Sequence, residues 1–460
     1  MTVLPLRLIG DDLMVPCLDG IDRPYLSLDS AASTAALPTV ADRVAEFLPW
    51  YSSVHRGAGY KSQMATAAYE QARESVMNFA GRAGRDDVAI IVRNTTEAIN
   101  HLAYRLRLGA GDVIVTTVAE HHANLLPWAR LGATRRFVEC DSQGMFTADD
   151  VVAVLDDGPT PKLLTITGAT NVTGWLPPLD AIIAAAHDRG VQVLVDAAQL
   201  AAHQPMPAMA DFIAWSGHKM YAPFGAGVLI GPRSAFATGD PFLAGGGAVD
   251  LVDLDEVIWS DPPDREEAGS PNVIGAVALA AAIDALTSIG WDTITNHEQE
   301  LSVPLRAGLA AIPGVRLLGP PPEQTTLAIA AFVVDDVPHA LVAARLSAEF
   351  GIGVRHGCFC AHPYLIRLLG LAPDEIERYR ADVIDGDRTR IPGAVRASAG
   401  LSVTASEIER FLQAVRVVAD QSPPPVDYRQ DQSTGDYWPV GESAPWSTDG
   451  RSLGASCSRG

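Results

Sequence analysis

The chain has 460 residues, 48% of them hydrophobic and 19% charged, with a formal net charge of −21. That balance allows two or three domains with large cores and disfavours a nucleic-acid partner. No long apolar run reads as a membrane helix, the opening MTVLPLRLIGDDLMVP carries acids where a signal peptide is apolar, and five cysteines make no disulfide framework, so a soluble cytoplasmic protein is expected.

Residues 1–25 read as an N-terminal arm, and YLSLDSAAS (25–33) as a short strand running into a polar turn. Residues 40–50 and 62–80 read as helices, the second with Ala68, Ala72, Val76 and Phe79 at mixed three and four spacing. From about residue 86 strands alternate with helices: VAIIV (88–92), DVIVTT (112–117), KLLTITG (162–168), VQVLVD (191–196), DFIAW (211–215) and GAGVLIG (225–231). Short, nearly unbroken apolar strands predict a mostly parallel sheet covered on both faces, with functional residues at the strands' carboxyl ends. This gives a large domain over 26–275, whose last part, 232–275, reads as loops. A long helical connection (276–310) leads into a smaller α/β domain ending near 420, with strands AIAAFVV (328–334) and GIGVRHG (351–357) and a last helix (406–420) capped by Thr404. The polar tail, 421–460, is expected to be disordered or laid over the surface, with Trp438 and Trp446 available for docking.

WSGHKMYAPFGAG (215–227) is the strongest local signal. A lysine amine can bond an aldehyde cofactor, and Ser216 and His218 beside Lys219 can bind a phosphate. The plainer reading makes Lys219 a solvated loop lysine, Ser216 a cap and His218 a packing residue. Three other strand ends favour the cofactor. Asp196 ends VLVD, where a buried carboxylate suits a pyridinium nitrogen, and Gln199 follows within reach of a ring oxygen. Thr95 and Thr96 stand at a helix start, which suits a phosphate as well as simple capping. His121 and His122 follow a strand. One imidazole can stack on a flat ring, and no third ligand at useful spacing argues for metal. Asn171, in TGATNVTG, adds a donor to the ring hydroxyl.

These pieces, with LDSAAS, VHRGAGYKSQMATAAYE, EAGSPN, RHGCFCAHP and VRAS, resemble the class V, fold-type I pyridoxal-phosphate (PLP) enzymes over about residues 25–405. Within them the chain resembles the cysteine desulfurases and selenocysteine lyases. The resemblance implies a fold-type I α/β architecture with Lys219 as the Schiff-base lysine, His121 over the ring, Asp196 at its nitrogen, and Asn171 and Gln199 at its hydroxyl. It implies Thr95, Ser216 and His218 at the phosphate, beside Thr96 at the same helix start, and Ser270 at the neighbouring subunit's phosphate, hence a homodimer. Arg396 resembles the arginine that clamps the substrate carboxylate, and Arg355 and His55 match further pocket residues. Any of these three could instead form an internal salt bridge.

Cys17 and Cys140 are isolated and Cys457 lies in the tail, whereas Cys358 and Cys360 share one loop. The resemblance makes Cys360 the nucleophile that takes sulfur from L-cysteine as a persulfide, releasing alanine; a sulfur acceptor, for which a protein is one candidate, then removes it. The loop departs from the usual R-T-G-H-H-C-A-Q-P at His356, Cys358, Phe359 and His362. Cys358 could resolve an oxidised or persulfidated Cys360, or be a small buried filler. The interval from 364 to 395 is longer than expected, and Ser402 and Val403 replace an expected tyrosine–asparagine pair. Those departures leave open another class V reaction (aminotransfer, epimerisation or C–S cleavage) on a different small amino acid.

Overall fold

The computed structural model describes residues 4–55 and 57–441; Cys457 and Trp446 lie outside them. A seven-stranded sheet forms the centre. Its order is Asp87–Val92, Gly227–Pro232, Phe212–Ser216, Gln192–Asp196, Leu163–Thr167, Val113–Thr117, Thr134–Val138. Gly227–Pro232 runs antiparallel to both neighbours, and the remaining pairs are parallel. Strands such as LLTIT and FIAWS are buried at every position, as a sheet with two covered faces requires. Successive residues feed opposite cores. Val115 and Ile213 pack with helices Tyr60–Phe79 and Val273–Ile289, while Ile114 and Phe212 pack with helix Thr95–Leu106. This is the fold-type I α/β architecture expected from the sequence.

The edge strand Thr134–Val138 and the hairpin Val249–Val252 with Val257–Trp259 were not foreseen. TRRFV is largely exposed and charged, as an outer strand tolerates, so its pattern is not that of a buried strand. The helical connection is two helices, Val273–Ile289 and Trp291–Ala310, bent by 82° at Gly290, whose φ is +85°. No single helix among the described residues is long and apolar enough to cross a membrane.

A four-stranded antiparallel sheet, Val315–Leu318, Ile329–Val334, Ala394–Ser398, Arg355–Gly357, forms the second core with helices Trp291–Ala310, His339–Phe350 and Ala405–Ala419. Thr404 caps the last of these through the Glu407 amide. Leu26–Ser27, placed by the sequence at the head of the large domain, pairs with Ile352–Gly353, and Leu26 and Leu28 pack in the second core. The N-terminal segment therefore crosses between the two cores. The described part of the tail is a hairpin, Tyr428–Gln430 with Tyr437–Pro439, held against the second domain.

A buried ion pair ties the loop before Ser270 to the large domain. Glu267 accepts from Arg73 at 2.8 and 3.0 Å, from Tyr69 Oη at 2.6 Å and from the Ile91 amide at 2.7 Å. Glu267→Ala leaves the Arg73 guanidinium buried without its main counterion. The expected loss is about 3–5 kcal/mol of stability, read from urea unfolding.

Candidate active site

Three strand ends and one helix start converge on a cavity of about 590 Å³. Of the residues given a catalytic, cofactor or substrate role from the sequence, all but His55 and Ser270 line it; His122, beside His121, does not. Helix Thr95–Leu106 can approach the sheet because Gly227 has no side chain: a Cβ there would lie 2.6 Å from Asn94 Cα. Asn94, not Thr95, is the cap, accepting from the Glu97 amide. Thr95 instead bonds Ser216. Its amide donates to Ser216 Oγ at 2.8 Å, and the two hydroxyls lie 2.7 Å apart. Thr96 is exposed on the same cavity rim.

Lys219 is half-buried on the cavity wall and is not a solvated loop lysine. Burial lowers its amine to about 8, against the opposing pull of the Asp196 charge. Asp196 is 4% exposed, and one oxygen accepts from the Ala198 amide at 3.0 Å. Burial pushes its carboxyl above the ordinary range, while that amide and Lys219 hold it down. His121 caps a short turn, with Nδ1 accepting from the Ala123 amide at 3.0 Å. Burial, and then the Lys219 charge, lowers its imidazole to about 3, so it is neutral and carries its proton on Nε2. His218 places Nδ1 3.3 Å from Ser33 Oγ.

Both amides singled out from the sequence bond main-chain carbonyls. Asn171 Nδ2 donates to Phe359 O at 2.7 Å, and Gln199 Nε2 to Ala31 O at 2.6 Å. Each amide nitrogen keeps a second donor. The three pocket residues assigned by resemblance all contact carboxylates of their own chain. His55 pairs with Glu70 at 2.9 Å, outside the cavity. Arg355 and Arg396 share Asp29, at 3.1 and 3.0 Å, one on each oxygen. Arg396 is 3% exposed and also donates to Asn171 O at 2.9 Å. Burial lowers its guanidinium to about 10.

Cys360 is exposed, Cys358 is half-buried, and both line the cavity. They sit on a turn closed by the Ala361 amide donating to Cys358 O at 2.9 Å. Phe359 and Cys360 both have φ of +54°, left-handed values that cost about 1–2 kcal/mol each without glycine. The turn is clamped from three sides. The His122 amide donates to Cys360 O at 2.7 Å, Asn171 holds Phe359 O, and the buried Phe359 ring lies 5.2 Å from the Arg396 guanidinium carbon.

Two acidic residues here went unnoticed in the sequence. Asp29 lies inside LDSAAS, but only the fold brings both arginines to it. Glu120, fully buried, accepts from Thr117 Oγ1 and Asn124 Nδ2, each at 2.7 Å, and from the Thr167 amide at 3.0 Å. Burial raises its carboxyl to about 8, and this network fixes the turn carrying His121. Its place directly before two histidines was the available signal. Among the described residues no group of three or more His, Cys, Asp or Glu could hold a metal ion.

Residues 26–411 match the class-V aminotransferase family. The chain belongs to that family, a group of PLP-dependent transferases and lyases. A probable cysteine desulfurase from Synechocystis is 36% identical over 405 residues, spanning 85% of this chain and 90% of its own. A cysteine desulfurase from Dickeya dadantii is 36% identical over 402 residues, spanning 85% and 91%. The apo structure of cysteine desulfurase from Thermococcus onnurineus NA1 has a TM-score of 0.77 at 32% identity, covering 86% of this chain and 95% of that one.

Proposed function

We propose that the chain moves sulfur from L-cysteine to Cys360 as a persulfide and releases L-alanine. One observation carries the reading: an exposed thiol, on a clamped turn, shares a cavity with Lys219 and Arg396. The donor set suits PLP, since it joins an amine of lowered basicity, a buried carboxylate and a neutral imidazole beside a helix N-terminus. When bound, PLP draws electrons away from the amino acid's α-carbon.

The chain's own residues supply the rest. Thr95, Thr96, Ser216 and His218 would hold the phosphate, and His121 would cover the ring. Asp196 would keep a proton on the ring nitrogen, while Asn171 and Gln199 would turn their remaining donors to the ring hydroxyl. Lys219, once free, removes the α-proton. Arg396, with Arg355 beside it, takes the substrate carboxylate. Cys360, as thiolate, attacks the substrate sulfur and keeps it. Arg396→Ala should lower kcat/KM for cysteine by roughly 10- to 160-fold, the worth of one charge-assisted bond, with the cofactor absorbance band retained.

Ser270 fits this reading through a second subunit. Ser270 is exposed and lies off its own chain's cavity, and the nearby hairpin exposes Leu251, Leu254 and Ile258. Light scattering after size exclusion should give a dimer. The central test incubates wild type and Cys360→Ala with L-cysteine while following alanine and sulfide together. Wild type should yield both in the presence of a thiol. A Cys360→Ala protein as fast as wild type on its true substrate would favour another class V reaction instead.

A further inference from the structure

The C-terminal hairpin lies wholly beyond residue 411, outside the family match. It nevertheless forms part of the active-site cavity, where Gln430, Thr434 and Gly435 share the lining with Cys358 and Cys360. It is bonded in place rather than draped. The Arg388 amide donates to Gln432 O at 3.0 Å, and the Arg388 guanidinium to Ser433 O at 3.2 Å. Gln430 Nε2 donates to Thr389 O at 2.9 Å and Gly435 O at 3.0 Å. Asp436 reaches His356 Nε2 at 3.3 Å, two residues before Cys358. The longer interval noted between Cys360 and Arg396 thus has a partner. Its 388–391 stretch and the hairpin together make one wall beside the thiols.

We infer that this wall selects the sulfur acceptor by size, admitting a low-molecular-weight thiol and keeping out the folded face of a protein. The inference rests on the desulfurase reading for its chemistry. An acceptor thiolate attacks the outer sulfur of the Cys360 persulfide, the sulfur–sulfur bond breaks, and Cys360 leaves as thiolate. The acceptor becomes the persulfide, and no oxidant or reductant is consumed. Such an attack needs the incoming sulfur in line with that bond, so whatever flanks the thiols decides which acceptors arrive. A small thiol enters through the open cavity. A protein must bring its thiol past the wall on a projecting loop.

The wall can be tested apart from the reaction. The full chain, a Gln430→Ala/Asp436→Ala double variant and a chain ending at residue 422 are alkylated with N-ethylmaleimide or with a maleimide on a large polyethylene glycol. Peptide mass spectrometry separates Cys358 and Cys360 from the other cysteines. Both variants should react about tenfold faster with the bulky reagent and nearly unchanged with the small one, because lost tethers raise local opening. The double variant carries the test if the shortened chain fails to fold. An unchanged ratio of bulky to small rates in the folded variants overturns the wall. Alanine formation from L-cysteine, measured in parallel, reports on the desulfurase reading: its absence alongside a shifted ratio sinks that reading and leaves the wall standing. Discharge of wild-type persulfide by reduced thioredoxin as fast as by glutathione would also overturn selection by size.

Discussion

Lys219→Ala protein is expected to lose turnover by roughly 10²–10⁴-fold, the usual worth of a positioned acid–base group. It should also lose any borohydride-reducible attachment of the cofactor. Both effects follow from one amine on the cavity wall, facing the Asp196 charge. Loss of activity with the reducible attachment intact would point to another lysine. The same amine predicts a pH dependence. Burial lowers it from its ordinary value to about 8, so it is neutral above that pH and protonated below. Only the neutral amine is nucleophilic. Capture of PLP by apoprotein should therefore speed up as pH rises through about 8 and slow as it falls, in stopped-flow absorbance. A flat rate across that range would contradict the assignment.

Cys360→Ala should reduce protein-bound sulfane sulfur to background. Intact mass spectrometry should show one added sulfur atom on wild type after cysteine and none on the variant. The turn geometry sharpens this expectation. His122, Asn171 and Ala361 fix the backbone around the thiol through three hydrogen bonds, so no neighbouring residue can readily swing into its place. Cys358→Ala is the natural control, because that thiol lines the same cavity. If Cys358→Ala, and not Cys360→Ala, loses the added sulfur, the nucleophile has been misassigned.

Much of the site was legible because it lies where apolar strands stop. VLVD ending at Asp196, DFIAW before Ser216 and VAIIV before Thr95 announce both a buried strand and a polar terminus. Periodicity carries that information locally. It did not reveal Asp29, whose two arginines are over 300 residues away in sequence and meet it only when Leu26–Ser27 joins the second domain. Nor did it reveal that Phe359, a histidine in the usual loop, lays its ring near Arg396. The tail hairpin was hidden for another reason. Its strands are three residues each, and side-chain bonds to loops hold it more than any apolar stripe. The break at Gly290 was equally quiet, because one glycine between two helical patterns does not say whether the chain bends.

Asp29 has a consequence for how anions compete at this site. Two guanidiniums against one carboxylate leave a single positive charge uncancelled, in a chain that is otherwise strongly negative. With Arg396 buried, that excess is poorly screened by water. On the proposed reading, the carboxylate of an arriving amino acid would restore neutrality and therefore gain more than a surface contact would. Sulfate and short monocarboxylates should do the same and inhibit competitively, whereas amino-acid amides, lacking the charge, should be poor ligands.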